Sequence, residues 1–330
     1  MPLYGYRGWS RPRGIAVSKP VSPDLLASGI LPFVIDAGAC RKAAIRGRMV
    51  RLDGVVDSIL DRHQYPPAIA ELAAEAMVLA SCLSSTMDFD GIFTLQAKGD
   101  GAIKTLLADV TSAGAVRGYA AFDDEKGKAL EAAPLGCPAP MMDLMGVGHL
   151  AFTVDQGKKG RYQGIVPIEA REIKDVALRY FRDSEQIDTA LFLAANMEDN
   201  NWQASGLLLQ RIPATGGTHD EVLPMSDEEA DIWHTACALM ATLGRDELLA
   251  NDIEPDILVH RLFHELGVSM LPWRVLRDEC RCSPDRVEQV LASLSPEERL
   301  EFADDNHQLT ISCEFCKTEW SWYASDTAQG

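Results

Sequence analysis

Four cysteines near the C-terminal end of the chain have the types and spacing of a metal site. Cys280-x-Cys282 and Cys313-x-x-Cys316 form two close pairs separated by thirty residues. Two pairs of soft thiolate donors around a short insert suit tetrahedral Zn2+, one ion per chain. Four cysteine ligands close the coordination sphere. A catalytic zinc keeps one position for water, so this pattern disfavours Lewis-acid chemistry and points away from an enzyme. Thiolates are, however, the species oxidants attack, and their conversion to disulfides removes the ligands. The predicted chemistry is a redox switch.

The elements that must position these pairs are short. Ser283-Pro284 and Ser295-Pro296 each place a capping serine ahead of a proline, so DRVEQVLASL and EERLEFADD are expected to be helices. QLTISCEFC reads as a strand running into a metal-binding turn, and TEWSWYA as the returning strand. Residues 280–330 are thus expected to form a zinc domain too small to fold without its metal. The remaining cysteines, Cys40, Cys82, Cys137 and Cys237, are scattered singly and are expected to be small buried hydrophobes. No secretory signal is visible, which argues against a disulfide framework and for a cytoplasmic thiol protein.

Upstream, the chain of 330 residues is 47% hydrophobic and 24% charged, the composition of a folded globular protein. Its formal net charge of -18 repels nucleic acid and anionic membrane. No stretch approaches the roughly 20 apolar residues of a membrane span. The basic segment 1–29, broken by glycine and proline, is expected to be a flexible tail. Residues 30–223 mix strands and helices. RGRMVRLDGVVDSIL starts as a strand and runs into a turn, and PPAIAELAAEAMVLASCLSSTM is a helix. FDGIFTLQAKGDGAIKTLLADV is a strand, a glycine turn and a strand; VRGYAAF, HLAFTVD and RYQGIVPI are further strands. IKDVALRYFRDSEQIDTALFLAAN is a helix then a strand, and SGLLLQRIP a strand or short apolar helix. Strands come in runs, so the predicted class is α+β: a large mixed sheet-and-helix N-terminal domain, a helical linker and a small C-terminal zinc domain.

Residues 224–279 are the predicted linker. Ser226 and Glu229 form a capping box, and Ile232, Trp233, Ala236, Cys237, Leu239, Met240 and Leu243 follow at helical spacing up to Gly244. A second helix is expected from Pro255 to Leu266, with Ile257, Leu258, Leu262 and Phe263 on one face. Core packing explains such a stripe. It would also become contiguous apolar surface if its packing were released, so Ile232, Trp233, Leu239, Met240, Leu258, Leu262 and Phe263 are candidate binding residues for unfolded proteins.

The cysteine pattern CRCS…CEFC, together with FDGIFTLQAKGDG at 89–101, RGYA at 117–120, YQGIVPI at 162–168, YFRDSEQIDT at 180–189 and SGLLLQRIP at 205–213, resembles the heat shock protein 33 family of bacterial redox-regulated holdase chaperones. Two departures stand out: Ser205-Gly206 replaces the family's usual Gly-Gly, and the tail before Leu31 is longer. The resemblance implies an inactive zinc-bound monomer when reduced. It implies disulfides Cys280–Cys282 and Cys313–Cys316 on oxidation, zinc loss, unfolding of the C-terminal domain, ATP-independent binding of unfolding client proteins, and dimerisation of the oxidised form.

Rival readings fare less well. A zinc-ribbon nucleic-acid or ribosome-associated binder needs phosphate-neutralising charge, but residues 280–330 carry four basic against ten acidic side chains. His260 and His264, with Glu265, are four apart on the predicted helix but do not form H-E-x-x-H, so a polar helix face is the better reading. Lys98-Gly-Asp-Gly101 lacks the Gly-Lys-Ser/Thr of a P-loop and reads as a turn, so no ATP site is expected. No G-x-S-x-G elbow is present.

Overall fold

The computed structural model describes residues 28–36, 44–128, 140–212 and 227–323. The proposed tail up to residue 27, Cys40, Cys137, the composition shift at 216–224 and the capping serine Ser226 lie outside them. The chain divides into two compact units, the larger ending at Glu279 and the smaller beginning at Cys280.

The larger unit contains two six-stranded sheets. The first has the order β10-β1-β2-β9-β8, formed by β1 (Gly29–Asp36), β2 (Ala44–Arg51), β8 (Thr189–Glu198), β9 (Asn201–Ile212) and β10 (Val268–Met270), with β11 (Arg274–Val275) also on β1. The second has the order β12-β5-β4-β3-β6-β7, from β3 (Ile92–Gly99), β4 (Ile103–Thr111), β5 (Ala115–Phe122), β6 (Gly148–Asp155), β7 (Arg161–Pro167) and β12 (Arg277–Asp278). All ladders are antiparallel except β12 on β5.

Helix α2 (Pro67–Ser84) packs against strands of both sheets. Two prolines open it, Pro67 at the first turn where a missing N–H costs nothing. By length and apolarity it could cross a bilayer, but 94% of it is buried inside the protein, so it is a core helix. The sheet residues follow the period of two. Ile30, Val50 and Leu208 face the core around α2, whereas Phe33, Ile35, Ile45, Met49, Leu207 and Leu209 face the opposite side.

Helices α6 (Asp227–Ala241), α7 (Arg245–Leu249) and α8 (Pro255–Phe263) cover that opposite side. Phe263 stacks on Phe33 with ring centroids 5.7 Å apart. Arg245 of α7 reaches Glu71 of α2 at 2.5 Å and the Ala195 carbonyl. These groups are far apart in sequence, so no local pattern announces the contact.

Two expectations need correction. The turn after β2 is helix α1 (Asp53–His63), with Val55, Val56, Ile59 and Leu60 buried. The Asp53-Gly54 pair suggests a turn, but Asp53 accepts a hydrogen bond from Ala204 N and Asp57 one from Trp202 N, tying the helix to β9. The expected helical segment also stops being helical at Leu266. Residues 268–278 supply β10, β11 and β12 as edge strands of both sheets. Asp278 accepts hydrogen bonds from Ser58 at 2.8 Å and from Arg62 at 2.5 and 2.9 Å. Short helices α3 (Asp124–Lys128), α4 (Met141–Met145) and α5 (Ile173–Tyr180) complete the larger unit.

The smaller unit contains α9 (Pro284–Ala292), α10 (Pro296–Glu301) and the hairpin β13 (Gln308–Ser312) and β14 (Glu319–Tyr323). Among its described residues the fully buried apolar side chains are Leu291, Leu309, Trp320 and Trp322.

Candidate metal centre

Each cysteine pair is held by a local device. Cys280 and Cys282 precede α9, whose first turn is fixed by Ser283 Oγ accepting from Arg286 N at 3.3 Å. Arg286 also donates to the Arg281 carbonyl at 2.7 Å, pinning the residue between the two thiols. Cys313 and Cys316 lie in the turn joining β13 to β14. There Cys313 N donates to Thr318 O at 2.9 Å and Lys317 N to Cys313 O at 2.8 Å. Lys317 adopts a left-handed conformation with φ of 56°, which curls the turn inward. The β13–β14 register, with Ser312 opposite Glu319, sets where this turn begins.

The result is convergence. The four Sγ atoms all lie within 4.8 Å of one another. Cys280 and Cys313 Sγ are 3.7 Å apart, and Cys282 and Cys316 Sγ 3.3 Å. Sulfurs arranged tetrahedrally at ~2.3 Å from a zinc ion stand about 3.8 Å apart, so the donor spacing fits such an ion. All four are half-buried, and Cys282 and Cys313 also pack against the small core.

The electrostatics point the same way. Four negative sulfurs this close repel one another, so in isolation one thiol gives up its proton at the expense of the rest. Hydrogen bonding from Cys280, then from the Thr318 hydroxyl 3.2 Å away, pulls Cys316 down to about 4. Cys280 is pushed up, chiefly by that same hydrogen bond to Cys316. Cys282 is pushed up to about 12, first by burial and then by Cys316. A divalent cation removes this competition and lets all four serve as thiolates. The donor set is therefore close enough, and of the right chemistry, to bind a metal ion.

The other sequence candidates are placed as follows. Cys82 is fully buried, and burial pushes its thiol up to about 12; Cys237 is half-buried and pushed up to about 11. His260 on α8 and His264 just past its end are both exposed and stack on each other with ring centroids 5.3 Å apart. Among the described residues they join no cluster of three or more metal-ligating groups. Lys98 and Gly99 end β3, and Asp100 and Gly101 begin the turn to β4, with Asp100 accepting from Val147 N at 2.8 Å. Of the seven candidate binding residues, Met240, Leu258 and Phe263 are buried against the first sheet, and Ile232, Trp233, Leu239 and Leu262 are partly buried around them. The Thr318 hydroxyl beside Cys316 escaped the sequence reading; its position two residues after the C-x-x-C pair was the available signal.

A compact four-thiolate module following an α+β unit of two sheets defines a class of thiol-centred, metal-capable proteins. Within it, a sequence profile described as Hsp33 protein matches residues 35–322. The chain is 35% identical over 302 residues to a 33 kDa chaperonin of Caulobacter vibrioides, covering 90% of this chain and 95% of that one. It is 37% identical over 287 residues to a 33 kDa chaperonin of Pseudomonas aeruginosa, covering 86% and 90%. The crystal structure of a 33 kDa chaperonin from Thermotoga maritima has the same fold, with a TM-score of 0.70 at 20% identity over 91% of this chain and 96% of that one. The chain belongs to the heat shock protein 33 family, a family of chaperones and not of enzymes.

Proposed function

We propose that this protein is a redox-regulated, ATP-independent holdase of the cytoplasm, with one Zn2+ held by Cys280, Cys282, Cys313 and Cys316 in the reduced state. The observation that carries the reading is the convergence of these four sulfurs in a unit that has, among its described residues, four fully buried apolar side chains. A bound zinc ion would supply charge to gather the thiolates and a folding contribution on the order of 10 kcal/mol. On this reading the tail expected over residues 1–29 stops before Ser28 and Gly29, which join the first sheet; 30–223 are the chaperone domain, 224–279 the linker, whose last strands 268–278 lie on the sheet edges, and 280–330 the switch.

The switching step is an oxidation. For each disulfide, two thiolates lose two electrons and form one S–S bond, while hypochlorous acid with one proton from solvent is reduced to chloride and water, or peroxide with two protons to two waters. The expected pairs are Cys280 with Cys282 and Cys313 with Cys316. With every sulfur within 4.8 Å of the others, the sequence-adjacent pairs are within easy reach of closure. Two disulfides leave no thiolate to bind a metal, and the small core alone is too slight to keep the unit folded. Loosening of the segment before Cys280 then uncovers Ile232, Trp233, Leu239, Met240, Leu258, Leu262 and Phe263 for unfolding clients. The reduced protein is a monomer on this reading and dimerises when oxidised.

The test combines zinc release, followed with a chromophoric chelator, and light scattering from a heat-denatured client. Reduced protein is expected to hold one zinc per chain and not to suppress aggregation. After hypochlorous acid it is expected to release the zinc and suppress aggregation without ATP. Full holdase activity with zinc still bound would falsify the switch, and tight salt-sensitive RNA binding would favour a nucleic-acid role.

A further inference from the structure

The segment before Ser28 has no task in the switch, yet its composition is pointed. Arg7, Arg11, Arg13 and Lys19 share it with Tyr4, Tyr6 and Trp9, and its first acidic residue is Asp24. Such a segment is complementary to a surface that is both acidic and apolar. The larger unit fixes where it is attached. Ser28 O accepts from Leu276 N at 3.1 Å, and Gly29 pairs with Val275 in the sheet. Cys280 is four residues beyond Leu276, a span of at most ~14 Å. The 27 residues before Ser28 can reach ~90 Å when extended. The segment is therefore tethered close to the start of the smaller unit, and tethers of this kind give effective concentrations on the order of mM.

The smaller unit offers such a surface. Val290 in the last turn of α9, Leu300 of α10 and Phe302 just past its end are each more than half exposed, Phe302 by 66%. Against them stand four fully buried apolar side chains among the unit's described residues, so its outside is apolar out of proportion to its inside. Arg299 holds the two helices together. Its Nε donates to Leu291 O at 2.9 Å and its Nη2 to Ala292 O at 3.4 Å, so the end of α9 lies against α10. Arg299 is the one base in EERLEFADD, residues 297–305, and it is turned inward, 6% exposed. Glu297, Glu301, Asp304 and Asp305 are all exposed, so carboxylates flank Leu300 and Phe302 along the chain.

Charge selects the occupant. The same surface of a second copy would bring carboxylates onto carboxylates. A nucleic acid or an anionic bilayer suits the basic segment but is repelled by this surface. A basic, aromatic strand meets both demands: its rings cover the apolar side chains while its guanidinium groups face the carboxylates. The chain carries such a strand at residues 4–13, tethered within reach.

We propose that residues 4–13 dock on the smaller unit of the same chain, laying Tyr4, Tyr6 and Trp9 over Val290, Leu300 and Phe302 and placing Arg7, Arg11 and Arg13 among the carboxylates of 297–305. The inference goes beyond the switch. It needs the smaller unit folded but not its redox chemistry, and its test uses the reduced full-length protein with zinc supplied. The amide dispersion of 308–323 in the same NMR spectra reports whether that unit is folded, so the two readings fail separately. Nuclear Overhauser contacts are expected between the Trp9 ring and the methyl groups of Val290 and Leu300. The Trp9 indole N–H is expected to exchange with water about tenfold more slowly than in the triple variant Arg7→Glu, Arg11→Glu, Arg13→Glu. The Val290 and Leu300 methyl signals are expected to move in that variant. Phe302→Ser, at an exposed position, is expected to raise Trp9 exchange to the level of the triple variant while the dispersion of 308–323 is kept. Mixing chains that carry complementary isotope labels assigns each contact to one chain or to two. No Trp9 contact in the unmodified protein with its smaller unit folded, or contacts found between chains alone, overturns the inference. So does Trp9 exchange that the triple charge reversal leaves unchanged.

Discussion

In the larger unit an 18-residue helix packs against two sheets, and nearly every residue of it is out of water. In the smaller unit four apolar side chains form the fully buried set among the described residues, and two of the four cysteines lean on them. The first arrangement has apolar area enough to hold itself together. The second is below the size at which a core suffices and needs a staple. The contrast explains how one chain could hold a stable scaffold and a conditional one. On the proposed reading the part that can be lost is the part whose cohesion rests on four sulfurs, and sulfur chemistry is reversible.

The largest expected effect breaks the smaller unit alone. Cys313→Ser, or removal of metal by a strong chelator, is expected to collapse the amide resonances of 284–323 to unfolded positions. Those of the larger unit should stay where they are. Retained dispersion in the smaller unit after either treatment would show that its core is self-sufficient.

An intermediate effect belongs to the larger unit. Burial pushes Glu75 up to about 8 and Glu71 up to about 6, in both cases against the pull of Arg245. Asp53 is likewise raised by burial to about 6. A folded-state value above the unfolded one means that the contribution is full below the unfolded value and is lost as pH rises through the folded value. Glu71 and Asp53 have therefore mostly lost theirs by neutral pH, and the fall between pH 7 and 9 reports on Glu75. The urea stability of the larger unit is expected to drop across that window by on the order of 1 kcal/mol or more, and Glu75→Gln is expected to flatten the drop. An unchanged slope in the variant would place the buried charge elsewhere.

The smallest effect sharpens the contrast. In the capping box of α10, Ser295 Oγ accepts from Glu298 N at 3.2 Å and the Glu298 carboxylate accepts from Ser295 N at 2.8 Å. Ser295→Ala is expected to cost about 1 kcal/mol. Amide-exchange protection in the smaller unit should then fall about fivefold, with no change in the larger unit. Equal changes in both units would mean that they unfold together.

Much of this was legible in the sequence. The two cysteine pairs, the two Ser-Pro helix starts and the returning strand at Trp320 are local signals, and local signals survive folding. Helix α2 was legible because its apolar run is long and opened by prolines. What stayed hidden depends on partners far along the chain. Helix α1 was masked by Asp53-Gly54, whose turn tendency is overridden by hydrogen bonds from β9. Strands β10 to β12 are two or three residues each and exist only because a sheet edge is there to receive them. The pairing of Arg46 with Gln210 across strands 164 positions apart could not be read at all.

The anchorage of Asp278 acquires a mechanical meaning when the chain is treated as a rope. Its carboxylate is tied by Arg62 and Ser58, and its backbone lies in the parallel ladder on β5. From there to Cys280 there are two residues, a leash of at most ~7 Å. A leash that short has no slack to absorb motion. If the segment beyond Cys280 became a coil, the entropic tension of some fifty loose residues would fall first on this knot, and a two-residue strand peels one bond at a time.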